Sequence, residues 1–147
     1  MNPQLILLLI LLPVVAVGVY FVGPRSHGGL GPFWARRCEG RAWLRTFPSV
    51  PKEDIRQFLA IFTNAFALPK ARMLRFAPAD RVLEIYRAIN PPGWPDALEL
   101  ETLDRSLQDT YGLRLGEIWK ESLTLGELFA RATARWPNKS LGRDHEP

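Results

Sequence analysis

Two helix-start signatures within the stretch Asp96 to Trp136 fix most of what the C-terminal half of this chain can become. Asp96 is a good N-cap, and Glu99 stands three residues on, the spacing of a capping box. Leu100, Leu103, Leu107 and Tyr111 follow at helical intervals, and Gly112 is placed to end the helix in a left-handed conformation. Thr124 and Glu127 repeat the signature and open a second helix with the stripe Leu125, Leu128, Phe129, Ala132 and Trp136. Between them, Leu113 to Ser122 has room for about one helical turn, around Ile118 and Trp119.

Upstream, Pro51 suits a first-turn position, and Glu53 and Asp54 complement the dipole of the turn it opens. Ile55, Phe58, Leu59, Phe62 and Phe66 then make the strongest amphipathic pattern in the chain, closed by Leu68-Pro69. Pro69 to Ala77 is a basic connector. Pro78 suits the first turn of a further helix with Val82, Ile85, Tyr86 and Ile89 on its apolar face, and Asn90 to Pro95 stops it. No strand alternation, repeat or phosphate-binding glycine loop interrupts this pattern. The expectation is an all-α body over residues 49–137, followed by a polar, disordered tail over 138–147.

The N-terminal end differs in kind. Pro3 to Val22 is a run of 20 residues without a charge, which as a helix is about 30 Å long and spans a bilayer core. A cleaved signal peptide and a buried core helix are the alternatives; no Lys or Arg precedes the run, which argues against cleavage. Residues 1–23 are therefore expected to be a transmembrane anchor. Arg25, Arg36, Arg37, Arg41 and Arg45 all follow it, so the positive-inside rule places the body in the cytoplasm of a single-pass inner (cell) membrane protein. One cysteine, Cys38, suits a reducing compartment.

Residues 24–48 are expected to be a basic, aromatic juxtamembrane linker. Its first part, GPRSHGGLGP, reads as a flexible joint, and FWARRCEGRAWLRTF alternates aromatic and cationic residues without a helical stripe. Trp34 and Trp43 fit the headgroup level with Arg36, Arg37, Arg41 and Arg45 on phosphates, or else pack on the body. Residues 25–75 carry ten Arg and Lys against three acids, whereas residues 80–130 carry five against ten, so the net charge of +4 conceals a dipole. The basic part is beside the apolar run and has no nucleic-acid motif, which favours a membrane surface over nucleic acid as its partner. His27 and His145, the only histidines, and a lone cysteine leave no ligand set for a metal.

The motifs of the C-terminal half resemble those of acyl carrier proteins. Asp96-Ala97-Leu98 stands where that family has Asp-Ser-Leu, Tyr111-Gly112 where it ends its acidic helix, and Thr124-Leu125-Gly126-Glu127-Leu128 where its last helix starts. The resemblance implies a small carrier-like helical bundle. It also implies that a phosphopantetheine arm would be carried by a serine at position 97. Ala97 has no hydroxyl, so the carrier chemistry and its cofactor are not expected. Ser106 and Ser122 lack the flanking Asp and Leu of the motif.

No nucleophile and base are brought together by any spacing in the chain, so an enzyme is not expected. The acids Asp96, Glu99, Glu101, Asp104 and Asp109 are expected to spread over the exposed side of one helix. They make either a solvated face or, as the resemblance implies, a docking surface for a basic protein partner. The expected function is a membrane-tethered, non-enzymatic interaction module that docks or regulates a membrane-associated complex. The alternative is a lipid-pathway component holding acyl chains non-covalently along Phe58, Phe62 and Phe66, which otherwise read as ordinary core.

Overall fold

The computed structural model describes residues 28–90 and 97–135. The anchor expected over 1–23, the cap at Asp96, the stripe residue Trp136 and the tail lie outside the described residues. Among the described residues the secondary structure is helical, with no strand and one isolated bridge between Arg81 and Thr124. No helix among them is long and apolar enough to cross a membrane. The α-helices are α1 (Gly31–Trp34), α2 (Gly40–Thr46), α3 (Lys52–Ala65), α4 (Val82–Ile89), α5 (Leu98–Tyr111), α6 (Leu115–Ile118) and α7 (Leu125–Arg135). Two 3-10 segments, Gly28–Leu30 and Lys70–Arg75, complete the set.

Local signals decide the long helices. In α3 the expected stripe is buried: Ile55, Phe58, Leu59, Phe62 and Phe66 are all within the core. In α7 the capping box closes as its spacing requires, with the Glu127 N–H donating to Thr124 Oγ1 at 3.1 Å and the Thr124 N–H donating to Glu127 Oε2 at 3.1 Å. Gly112 caps α5 at φ +67°, and its N–H returns to the Gln108 carbonyl at 2.9 Å. The connector that follows forms its one turn as α6.

Packing then joins what is distant in sequence. The long helices α3 and α5 lie against each other, α3 also packs on Lys70–Arg75, and α5 packs on α6 and α7. Two aromatic groups fill the centre. Trp43, Phe47, Phe58 and Phe129 form one, with ring centroids 4.9 Å apart for Phe47–Phe129 and 5.1 Å for Phe58–Phe129. Phe33, Trp34, Phe62, Phe66 and Phe76 form the other, Phe62–Phe66 being 4.6 Å apart and Phe33–Phe76 5.6 Å. Phe58 and Phe62, one turn apart on α3, bridge the two.

The stretch expected to be a linker is part of this core. Leu30 and Trp43 are fully buried and Phe33 nearly so. Trp43 is therefore not a membrane-surface residue: its indole N–H donates to the Phe76 carbonyl at 2.8 Å, and its ring meets Phe58 and Phe129. Nor are Gly28 to Pro32 a joint, because Gly29 lies so close to α4 that an added Cβ would meet the Ala88 carbonyl oxygen at 2.3 Å. Only glycine permits that approach. The packed body thus includes described residues that precede residue 49, among them Leu30, Phe33 and Trp43.

Pro78 is another correction. It lies in a turn over Ala77 to Asp80, and the helix begins only at Val82. Three backbone bonds explain the delay. Val82 donates to Leu123, Leu125 to Asp80 and Gly126 to Pro78, at 2.8–3.0 Å. The turn and the Arg81 bridge thus lie against the start of α7, where the Pro78 and Asp80 carbonyls satisfy N–H groups that a helix N-terminus leaves without partners. Asp80 fixes the same turn from its side chain. Its buried carboxylate takes the Ala77 N–H at 2.7 Å and Arg36 Nη1 at 2.6 and 2.8 Å, tying α1 to a turn 44 residues away.

Candidate functional site

The five acids expected on one exposed helix face do not share one fate. Asp96 is outside the described residues, and Ala97 is exposed at the N-cap position of α5, with its carbonyl accepting the Glu101 N–H at 3.0 Å. Glu99 is buried, 4% exposed, with Asn90 Nδ2 3.5 Å from its Oε2, and this overturns its placement on a docking face. The reason is its register: Glu99 precedes Leu103 and Leu107 by one and two turns, so it points with them toward the core. Glu101 and Asp109 are exposed, and Asp104 is half-buried.

Asp104 acts first on the fold. Its Oδ1 accepts the N–H of Leu115, the first residue of α6, and so satisfies one of the donors that the start of that short helix leaves open. Arg135 holds the same connector from α7, donating to the Gly112 carbonyl at 3.0 Å and to Glu117 Oε2 at 2.8 Å. These bonds set the direction in which the chain leaves α6. The next residue, Trp119, is left 37% exposed.

A surface groove of about 440 Å³ results between α5 and the α6 turn. Leu100, Leu115 and Trp119 give it an apolar wall, and Glu101, Asp104 and Gln108 give it polar edges. Arg105 is the one cation that lines it. Leu98, 53% exposed, precedes Glu101 by one helical turn. Leu98 and Trp119 are the two exposed large apolar side chains among the described residues. An apolar seat edged by two carboxylates can take a segment that presents an apolar side chain flanked by cations. Sequence reading missed the role of Trp119. Its setting in a short connector, between Ile118 and charged residues, was the available signal.

Two hydroxyls of α5 are turned back into the helix, Thr102 donating to the Leu98 carbonyl at 2.7 Å and Ser106 to the Thr102 carbonyl at 2.8 Å. No group of three His, Cys, Asp or Glu side chains that could hold a metal occurs among the described residues. Tyr111, buried at the end of α5, has its phenol pushed up to about 12, by burial first and by the charge of Asp54 second.

The residues expected at the membrane surface also divide. Trp43 is in the core. Trp34 is half-buried, its ring 5.5 Å from Phe76 and covered by the Arg72 guanidinium at 5.0 Å. Arg36 is engaged by Asp80 and lies 4.9 Å over the Phe33 ring. Arg37, Arg41 and Arg45 are exposed.

No family model matches this chain, and no curated protein or solved structure gives a match.

Proposed function

We propose that this chain is a membrane-tethered, non-enzymatic interaction module that receives a basic, apolar-anchored segment of a protein partner in the groove between α5 and Trp119. The observation that carries this reading is the groove itself: exposed Trp119 and half-buried Leu100 beside Glu101 and Asp104, held in place by hydrogen bonds from three elements. Aromatic anchors in a shaped seat with charged edges are the usual carriers of interface energy and specificity. The uncharged run of residues 3–22 supplies the tether in this proposal, with the body on the cytoplasmic side. The motif likeness to acyl carrier proteins supports a degenerate carrier-type bundle, in which Ala97 has replaced the arm-bearing serine and the acidic helix keeps a docking role.

The test is partner capture from solubilised membranes by the full chain and three variants. Trp119→Ala and Glu101→Lys are each expected to lower recovery of the specific partner by about tenfold or more, the scale of an interface hot spot. Arg45→Ala, on α2, is expected to have no effect. Equal recovery with all three variants refutes the groove as the docking site.

A further inference from the structure

A second concavity, sharing no residue with the groove, opens between α2 and the first turns of α3 and measures about 250 Å³. Trp43, Leu44, Ile55 and Leu74 make its walls. These walls are fixed: Trp43 is anchored through its indole to Phe76, and the Leu74 carbonyl accepts the Glu39 N–H at 2.7 Å. Gly40 and Cys38 also line it, and a Cβ on Gly40 would stand 3.4 Å from Cys38 Sγ and 4.0 Å from Leu74.

The charge of the lining has one sign. Arg41, Lys52 and Arg56 line it and no acid does. All three are exposed, and none has an ion pair among the described residues. Three cations around an apolar recess repel one another and attract an anion, and the recess rewards an apolar tail on that anion. We propose that this cavity binds a free fatty-acid anion of medium length. The alkyl chain lies along Trp43, Leu44, Ile55 and Leu74, and the carboxylate sits at the mouth among Arg41, Lys52 and Arg56. A cavity of 250 Å³ has room for one unbranched chain and not for the paired chains of a phospholipid. This inference does not depend on the docking role of the acidic groove, and it places the ligand away from Phe58, Phe62 and Phe66, whose rings are packed in the closed core.

Cys38, the only cysteine of the chain, reports occupancy because it is exposed and lines the cavity. The experiment uses the full chain in phosphatidylcholine nanodiscs and follows the rate of Cys38 alkylation by iodoacetamide. Decanoate is expected to slow alkylation in a saturable way. Decanol, which partitions into the bilayer but lacks the charge, is expected to leave the rate nearly unchanged. The double variant Arg41→Gln, Arg56→Gln should keep the ligand-free rate and helical circular dichroism of the wild type while its half-protecting decanoate concentration rises about tenfold, the scale of two exposed ion pairs. Nanodiscs containing phosphatidylglycerol without decanoate should give the unprotected rate. The proposal is overturned if decanoate gives no protection, if decanol protects equally, if the double variant is protected like the wild type, or if phosphatidylglycerol alone protects.

Discussion

Replacing Trp43 by alanine tests whether residues 28–47 are built into the domain or merely lead to it. Trp43 is fully buried, touches the rings of Phe47, Phe58 and Phe129 and donates its indole N–H to the Phe76 carbonyl. Removing a buried indole costs about 3–5 kcal/mol in lost transfer energy and cavity. Leaving the Phe76 carbonyl without its donor adds about 1 kcal/mol or more. The sum, about 4–6 kcal/mol, is a large part of the roughly 5–15 kcal/mol that holds a small domain together. Trp34→Ala should cost only about 1–2 kcal/mol, because that ring is half-buried at the edge of the core. The assay is urea denaturation followed by far-ultraviolet circular dichroism, on residues 28–147 and the same fragment with each substitution. A Trp43→Ala midpoint lowered far more than that of Trp34→Ala is expected. A fragment beginning at residue 48 is expected to show no cooperative transition at all, since Leu30, Phe33, Trp43 and the Arg36–Asp80 pair would all be missing. If Trp43→Ala shifts stability by less than about 0.5 kcal/mol, the surface value, the integration of this stretch into the core is wrong.

Other contacts and positions give four further outcomes. Thr124→Ala should cost about 1 kcal/mol through the lost cap, measurable by the same denaturation. Lys120 first and the Thr124 N–H second hold the Glu127 carboxyl below its ordinary 4.5, so that contribution is complete above about pH 4.5 and fades as pH falls through the depressed value. Tyr111 should ionise near 12 and not near the ordinary 10.0; because the folded state keeps its proton longer, stability is unaffected below about pH 10 and declines as pH rises from there toward 12. The difference in phenolate absorbance between wild type and Tyr111→Phe reads this directly, and a Tyr111 signal developing fully by pH 10.5 would contradict it. Incubation with a phosphopantetheinyl transferase and coenzyme A should add no mass to the wild type, whereas Ala97→Ser restores the hydroxyl at the exposed start of α5; mass added to the wild type at any serine would refute the loss of carrier chemistry.

Features set by neighbours in sequence were legible in advance. The Thr124–Glu127 box, the glycine at 112 and the stripe of α3 each depend on residues within a turn or two, and each is found where its spacing puts it. Features set by distant partners were not. Residues 33–47 show no stripe because α1 and α2 are too short to display one, with four and seven residues; their place is given by Asp80, Phe76 and Phe129, far along the chain. Pro78 misled for the same reason, since the start of α4 is set by bonds to Leu123, Leu125 and Gly126. At the candidate site, charge was weighed above register. Glu99 shares its stripe with Leu103 and Leu107, and Asp104 is committed to Leu115, so the acidic face contracts to Glu101, part of Asp104 and the exposed Asp109. What charge counting omitted was the apolar partner of that face, Trp119, which becomes visible only when α6 folds back beside α5.

Whether the groove beside Trp119 receives a partner in the cell is measured by site-specific photocrosslinking. A benzoylphenylalanine at Gln108, on the groove edge, and another at Arg45, exposed on α2, are compared in intact cells expressing the full chain. A discrete adduct is expected from position 108 that is missing from position 45 and disappears when Trp119→Ala or Glu101→Lys is added. No adduct from position 108, or one that persists unchanged in both variants, would contradict it.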